Sequence, residues 1–243
     1  MVHPTGQTHA GAGRQAVVLL SGGLDSYTTA AIARSQGYAC AALTLAYGQR
    51  HDHEITCARR IAEELGLHPH KILDLDLAAF GGSALLGHGQ VPQNGPDPNI
   101  IPSTYVPARN TILLALALAW AETLDAFDIF LGVNAVDYSG YPDCRPEFLQ
   151  AFEKTANLGT RAAIENRGRF HIHAPLLTLT KAQIIRRGVA LGLDYALTHS
   201  CYAPDAQGRP CGRCDSCVLR RRGFDQAGVK DPLPYLHSPP LEP

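Results

Sequence analysis

The chain has 243 residues, 45% of them hydrophobic, and a formal net charge of −1, so it is long enough to bury a large core. The near-neutral balance, with a pI of about 6.8, gives no overall electrostatic attraction for nucleic acid. The longest apolar run, Ile112 to Ala121, is too short to cross a bilayer. Residues 1–15 are rich in Gly, Ala, His and Thr and lack the apolar centre of a secretory signal, which predicts a disordered tail and a cytoplasmic protein.

The first predicted elements are a strand, a glycine turn and a helix. Apolar residues 16–20 predict a buried parallel strand, and residues 27–34 predict a helix. Between them, Gly22 and Gly23 allow the backbone to approach an anion closely. The hydroxyls of Ser21 and Ser26 and the first N–H groups of the helix supply hydrogen-bond donors. This order predicts a loop that binds the phosphates of a nucleotide.

The type of phosphate loop follows from what the sequence lacks. No lysine precedes Lys71, so a Walker A motif is absent, and the glycines of residues 11–16 come before the strand, where a dinucleotide fingerprint needs them after it. An ordinary turn with Asp25 as N-cap is the alternative interpretation. The loop resembles the PP-loop of the ATP pyrophosphatases, which cut ATP between the α and β phosphates, and this resemblance makes Asp25 the Mg²⁺ partner. The predicted nucleotide-binding residues are Leu20, Ser21, Gly22, Gly23, Leu24, Asp25, Ser26, Tyr27, Thr28, Thr29 and Ala30.

The remaining pattern alternates strands and helices. Strands are predicted at 38–46, 70–75, 127–133 and 170–174, and helices at 51–65, 109–124, 146–164 and 180–191. Helix 109–124 is apolar on nearly all faces, which predicts that it is buried, and residues 80–107 form a long loop that we expect to be functional or mobile. The alternation predicts an α/β fold, a doubly wound parallel five-stranded sheet of the Rossmann-like, PP-loop kind. We expect a disordered tail over 1–15, a PP-loop ATP pyrophosphatase domain over 16–195 and a small zinc-binding region over 196–243.

Four of the seven cysteines form a cluster near the carboxyl end. Two successive Cys-x-x-Cys steps bring three thiolates together, and the fourth arrives from across a loop. Four thiolates with no open position describe a closed structural Zn²⁺ site, although ligand type alone does not separate zinc from an iron–sulfur cluster. The predicted metal ligands are Cys201, Cys211, Cys214 and Cys217.

Polar residues follow each predicted strand, at the edge where open α/β sheets bind ligands. They occur in segments 47–51, 106–110 and 134–146 and around Lys181. Together with the loop and the cysteines, these segments resemble the 7-cyano-7-deazaguanine synthase family of queuosine biosynthesis, from Ala16 to about Tyr235. The resemblance implies that 7-carboxy-7-deazaguanine and ammonia become 7-cyano-7-deazaguanine (preQ0) through adenylated and amide intermediates, with two ATP converted to AMP and pyrophosphate. It also implies an ATP-dependent C–N ligase with Mg²⁺, one structural zinc per subunit and a homodimer.

Residue roles can be matched to that chemistry. Stabilisation of charge on the α-phosphate is the main requirement, and we expect Lys181 and Arg109 to supply it. A deazaguanine ring presents N–H donors that a carboxylate accepts, and Asp143 is the candidate.

Further substrate contacts are expected from aromatic and basic side chains in the same segments. Tyr138 or Tyr141 is expected to stack on the ring, and Arg145 to face the substrate carboxylate. Gln49 and Arg50 are expected to line the nucleotide or ammonia side, and His51 either joins them or caps the following helix.

Two alternatives use the same loop. One is a tRNA-thiolating enzyme, which needs a cysteine near the nucleotide, and Cys144 is the only placed candidate. The other is another ATP-pyrophosphatase amide ligase. Residues 220–222, three arginines on a helix after the cysteines, are interpreted as a solvated face, so no direct nucleic-acid partner is expected.

Overall fold

The computed structural model describes residues 13–48, 53–86, 90–93, 100–134, 136 and 141–237. Within these residues one parallel sheet has the strand order β3-β2-β1-β4-β5. The strands are β1 Gln15–Leu19, β2 Ala39–Ala46, β3 His70–Asp74, β4 Asp128–Phe130 and β5 His171–His173. The chain moves outward from β1 to β3 and then returns to the other side of β1. The predicted doubly wound sheet is therefore confirmed.

Helices cover both faces of this sheet. They are α1 Leu24–Ser35, α2 His53–Glu64, α3 Arg109–Thr123, α4 Pro146–Gly159, α5 Arg161–Ile164, α6 Lys181–Ala190 and α7 Asp215–Ala227. Because side chains alternate along a strand, Ala16 and Val18 of β1 pack in one core with α1, α2, α6 and α7, whereas Val17 and Leu19 pack in a second core with α3, α4 and α5. Burial on both faces explains why β1 is a continuous apolar run.

Several element boundaries differ from the predicted ones. Helix α1 begins at Leu24, three residues earlier than predicted, and β4 and β5 have only three residues each. The helix predicted over 146–164 is two helices, because Thr160 has extended backbone (φ −108°, ψ 146°) after Gly159, a weak helix former. The backbone N–H of Ala162 then donates to the Glu122 carboxylate (2.8 Å), which holds the new direction.

Two predictions about exposure are wrong in part. The disordered tail was predicted to reach residue 15, but Gln15 begins β1, and Arg14 pairs with Asp128 at 3.1 Å; residues 1–12 lie outside the described part of the chain. Helix α3 is buried only on the side that faces the sheet, and Ala115 and Ala119 on its other side are exposed. Its sequence alone did not show that one side lacks a covering element.

The carboxyl-terminal helix α7 packs against α6 and contributes Phe224 to the first core. The predicted solvated face at 220–222 is wrong for Arg220, which is buried and binds the Asp231 carboxylate at 3.0 Å. Arg221 lies over the Tyr235 ring, and only Arg222 is exposed. Arg220 and Arg221 therefore hold the segment that contains Asp231 and Tyr235 against α7. Across the described residues, no helix has the length and apolarity that a membrane span requires.

Candidate active site

The loop between β1 and α1 is a tight turn held by its own serines. The Ser26 hydroxyl donates to the Gly23 carbonyl (3.0 Å) and accepts from the Ser21 backbone N–H (3.1 Å). Gly22 has φ +85°, and a Cβ there would lie 2.1 Å from the backbone oxygen of Glu54. Only glycine satisfies both conditions, so Gly22 lets the loop press against the start of α2.

A second glycine brings β4 close to the same loop. A Cβ on Gly132 would lie 2.9 Å from the backbone of Asp25, so the chain after β4 passes directly over the first turn of α1. Strands β1 and β4 meet at the point where the strand order reverses, which is where open α/β sheets bind ligands. The predicted strand 127–133 is shorter in the structure, where β4 ends at Phe130.

A cavity of about 240 Å³ opens at this edge of the sheet. Its walls come from the loop, the ends of β2 and β4, α2, α3 and the cysteine-rich segment. The polar and ionisable residues that line it include Ser21, Asp25, Ser26, Tyr47, Glu54, Arg109, Asn110, Asn134, Tyr141, Cys144, His199, Ser200 and Tyr202. Residues far apart in sequence therefore converge on one site.

Asp25 and Lys181, both predicted as catalytic, form an ion pair. The Lys181 ammonium lies 2.7 and 2.8 Å from the two carboxylate oxygens of Asp25. Both side chains are largely buried, with 8% of Lys181 and 21% of Asp25 exposed. Helix α6, which begins at Lys181, thus fixes the carboxylate in the first turn of α1.

Arg109 lies on the opposite wall among tyrosines. Its guanidinium is 3.5 Å from the Tyr47 hydroxyl. Burial lowers the pKa of Arg109, but the electrostatic effect of Tyr47 and Tyr202 more than offsets this and raises the pKa above its ordinary value. Arg109 is therefore a permanent positive charge that faces the phosphate loop across the cavity.

Glu54, which the sequence analysis did not single out, contributes a carboxylate to the same cavity. Burial raises its pKa to about 7, and the Arg109 charge offsets this only in part. A carboxylate that titrates near neutral pH is suited to accept and release protons. Its position directly after segment 47–51 was the signal that could have identified it.

Not every predicted binding residue faces the cavity. Tyr27, Thr28, Thr29 and Ala30 are fully buried in the core, where the Tyr27 hydroxyl donates to Glu64 (2.7 Å) and the Thr28 hydroxyl pairs with Tyr195. Of the predicted stretch, only Leu20, Ser21 and residues 23–26 line the cavity, and Gly22 packs against α2. Residues 27–30 of α1 therefore pack in the core and do not reach the cavity.

The predicted substrate-binding residues are divided among three environments. Tyr141 lines the cavity, and its hydroxyl pairs with Thr104 (2.8 Å). The buried Asp143 carboxylate accepts the Asn110 backbone N–H (2.9 Å), so it caps the start of α3, and Arg145 is exposed before α4. The predictions for Gln49, Arg50, His51 and Tyr138 fall outside the described residues.

The four predicted cysteine ligands come together beside the cavity. Their sulfur atoms all lie within 4.8 Å of one another, and the Cys201–Cys214 and Cys211–Cys217 separations are 4.0 Å. Tetrahedral Zn²⁺ with bonds of about 2.3 Å places its sulfurs about 3.8 Å apart, so the cluster fits that ion. Backbone N–H groups of residues 203, 211, 213 and 214 point at the sulfurs.

The cysteine-rich segment also supports the phosphate loop. The backbone N–H of His199 donates to the Gly22 carbonyl (3.0 Å), and Cys201 lines the cavity two residues later. Ser216, in the first turn of α7, lines the cavity as well. The cysteine-rich segment, predicted as a separate small region, therefore forms one wall of the site.

Fold and site together define a doubly wound α/β protein with a phosphate-binding loop at the switch point of its sheet and a four-cysteine cluster that fits a metal ion. The family model described as "Queuosine biosynthesis protein QueC" matches residues 15–228. The chain therefore belongs to the QueC family.

Relatives across most of the chain agree with this assignment. The 7-cyano-7-deazaguanine synthase of Methylococcus capsulatus is 61% identical over 226 residues, 91% of this chain and 99% of that protein. The synthase of the same name from Syntrophobacter fumaroxidans is 56% identical over 96% of this chain and its own full length. A solved 4-thiouridine synthetase–RNA complex with bound ATP is also similar, with TM-score 0.49, 21% identity and coverage of 89% of this chain and 50% of that one.

Proposed function

We propose that this protein is an ATP-dependent ligase that converts 7-carboxy-7-deazaguanine and ammonia to 7-cyano-7-deazaguanine. The observation that carries the proposal is a single cavity that joins a phosphate loop to a permanent cation, Arg109, in a chain 56–61% identical to synthases of that name. A carboxylate and an amide oxygen are both poor leaving groups until they are adenylated. One adenylation site therefore serves both steps, through an adenylated acid, an amide and an adenylated amide.

ATP is proposed to bind with its outer phosphates on the loop. The donors there are the backbone N–H groups at the start of α1, where the helix dipole is positive. Asp25 is proposed to hold Mg²⁺, since a carboxylate beside phosphate oxygens is the ligand set that this ion takes, and when bound the ion neutralises phosphate charge. Lys181 orients Asp25 through their ion pair, and Arg109 stabilises charge at the α-phosphate.

The deazaguanine ring is proposed to bind between the loop and the turn that contains Tyr141. The Tyr141 ring lines the cavity and offers a stacking surface. Asp143 would accept the ring N–H groups with the oxygen that α3 does not use, and Arg145 would have to turn inward to reach the substrate carboxylate. Tyr138, Gln49 and Arg50 complete the proposed contacts.

The tRNA-thiolating alternative is less well supported. It needs a reactive thiolate near the nucleotide, and Cys144 does line the cavity. However, burial and the nearby Asp143 carboxylate raise the pKa of Cys144 to about 12, so its thiol stays protonated at neutral pH. The Asn110 side chain donates to this sulfur (3.3 Å), which lowers the pKa but does not offset the effect of burial.

Zinc, a cytoplasmic location and a homodimer complete the proposal. The four sulfurs support a structural Zn²⁺, one per subunit, because they leave no open coordination position. The exposed apolar side of α3, with Ala115 and Ala119, supports a second copy as its cover. Light scattering would measure the proposed dimer directly.

The function is tested with the protein, Mg-ATP, ammonium and the 7-carboxy base. We expect two AMP and two pyrophosphate for each nitrile formed, and no AMP when the base is omitted. Release of ADP would contradict the proposal. AMP release that requires tRNA would favour the tRNA-thiolating enzyme, and AMP release that requires another acid substrate would favour another amide ligase.

A further inference from the structure

Glu54 is held against the phosphate loop by packing of the backbone. Its carbonyl oxygen occupies the space that a side chain at Gly22 would need, and its own side chain lines the cavity with Ser21, Asp25 and Arg109. Helix α2 begins one residue earlier, at His53. The backbone of Glu54 therefore has a fixed place beside the loop, and its carboxylate is close enough to Arg109 to sense that charge.

The other ionisable groups of this cavity are committed to partners or to one protonation state. Asp25 is paired with Lys181, and the Cys144 thiol stays protonated. The His199 ring contacts the Cys201 carbonyl (3.2 Å), and burial raises the pKa of Tyr47 and Tyr141. Within the described part of the chain, the Glu54 carboxylate has no hydrogen bond or ion pair.

The proposed reaction requires such a group, because making a nitrile from an amide removes two protons from nitrogen. The amide oxygen bonds to the α-phosphorus, the bond to pyrophosphate breaks, one N–H proton leaves, and the C–N bond becomes C=N. The C–O bond then breaks, AMP departs with its electron pair, the second N–H proton leaves, and C≡N forms.

We propose that Glu54 is the general base that accepts these nitrogen-bound protons, a role that rests on the proposed function. It takes the first proton as the amide oxygen is adenylated, releases it to solvent, and takes the second as AMP departs. Its pKa of about 7 matches this cycle, because the carboxylate is ionised at working pH and is still basic enough to take a proton. Arg109 favours the ionised form between transfers.

The test compares amide dehydration, in which nitrogen loses protons, with carboxylate adenylation, in which it does not. Adenylation of the carboxylate removes no N–H proton and is measured by exchange of labelled pyrophosphate into ATP with the 7-carboxy base and no ammonium. Dehydration is measured as nitrile formed from the 7-amide base and ATP. We expect Glu54→Gln to slow dehydration about 100-fold or more and to change the exchange rate less than about threefold.

A pH profile and two further variants distinguish a base from a packing residue. For the wild type, kcat/KM of dehydration should rise with a midpoint near pH 7 and level off above it, and Glu54→Gln should lose this rise. Glu54→Asp should restore part of the rate together with the rise. Glu63→Gln, an exposed change on the same helix, should leave both steps unchanged.

Equal slowing of exchange and dehydration by Glu54→Gln, or dehydration at the wild-type rate, would overturn the role of Glu54 and leave the proposed function standing. A wild-type protein that makes neither AMP nor nitrile from these bases would overturn the proposed function itself, and the Glu54 role with it.

Discussion

The two ends of the sheet place a buried carboxylate and a partly buried one in opposite environments. At the amino end, Asp128 of β4 accepts from Arg14 (3.1 Å), the Tyr38 hydroxyl (3.2 Å) and the His173 ring (2.7 Å). At the carboxyl end, Glu54 faces a cavity and has no such partner among the described residues. The Asp128 carboxylate is thus hydrogen-bonded by three side chains, whereas the Glu54 carboxylate can still bind a ligand or a proton.

This difference separates stability from function within one sheet. A buried carboxylate with all its hydrogen bonds stabilises the fold, whereas one without them costs folding free energy and is retained where a ligand or proton supplies the missing interaction. Changes at the amino end should therefore affect unfolding and leave catalysis unchanged. Changes at the cavity end should do the reverse.

The largest effect of a substitution is expected in the cysteine cluster, which both stabilises the fold and forms one wall of the cavity. Cys214→Ser should lose zinc and aggregate, because structural zinc contributes about 10–16 kcal/mol of apparent binding free energy in small domains. The loss should extend to the phosphate loop through the contact between His199 and Gly22. Metal content by mass spectrometry and the soluble fraction measure this.

Cys57→Ser is the matched control, since Cys57 lies outside the cluster and is half-buried. It should stay soluble and keep its zinc. A soluble, metal-free and active Cys214→Ser protein would contradict the structural role.

The next effect tests the cavity end alone. Asp25→Asn should lower AMP formation at least about 100-fold, because the charge beside the phosphates is removed, while the far-ultraviolet circular dichroism stays unchanged. Lys181 then loses its ion pair with Asp25, and because both side chains are largely buried the variant should also be somewhat less stable than the wild type. Turnover near the wild-type value would count against Asp25 as the Mg²⁺ partner.

The amino end is tested by Asp128→Asn, which should destabilise the fold by about 1–3 kcal/mol because Arg14 and His173 lose a charged acceptor. Urea unfolding measures the change, and kcat for AMP formation should stay within twofold. The control is Asp125→Asn, an exposed partner of Arg167, which should change stability by less than about 1 kcal/mol. A large loss of activity in Asp128→Asn would break the separation between the two ends.

The smallest effect is a pH-dependent difference in stability at Glu54. Its folded pKa of about 7 lies above the ordinary glutamate value of 4.5, so the native state binds more protons and the free energy of unfolding falls as pH rises between those values. Glu54→Gln lacks this loss, so its melting temperature relative to wild type should be higher at pH 8 than at pH 5. An equal difference at both pH values would show that Glu54 carries no desolvation penalty.

The parallel α/β fold class, the loop and the cysteine cluster were predictable because each depends on a local pattern. Apolar runs specify buried strands, paired glycines specify a close turn, and Cys-x-x-Cys steps specify convergent sulfurs. Asp143 shows where this reasoning is limited, because its carboxylate caps α3 from a segment 33 residues away. Its sequence neighbours contain no sign of that partner.

By itself, the sequence determined the class of fold, the place of the glycine-rich loop and the four cysteines that cluster, because short segments carry those features. Only the tertiary structure decided that Lys181 pairs with Asp25, that Tyr27 lies in the core and that Glu54 enters the cavity. These outcomes depend on how distant segments pack against one another. A carboxylate becomes a cap, an ion-pair partner or a free base according to which groups the fold brings next to it.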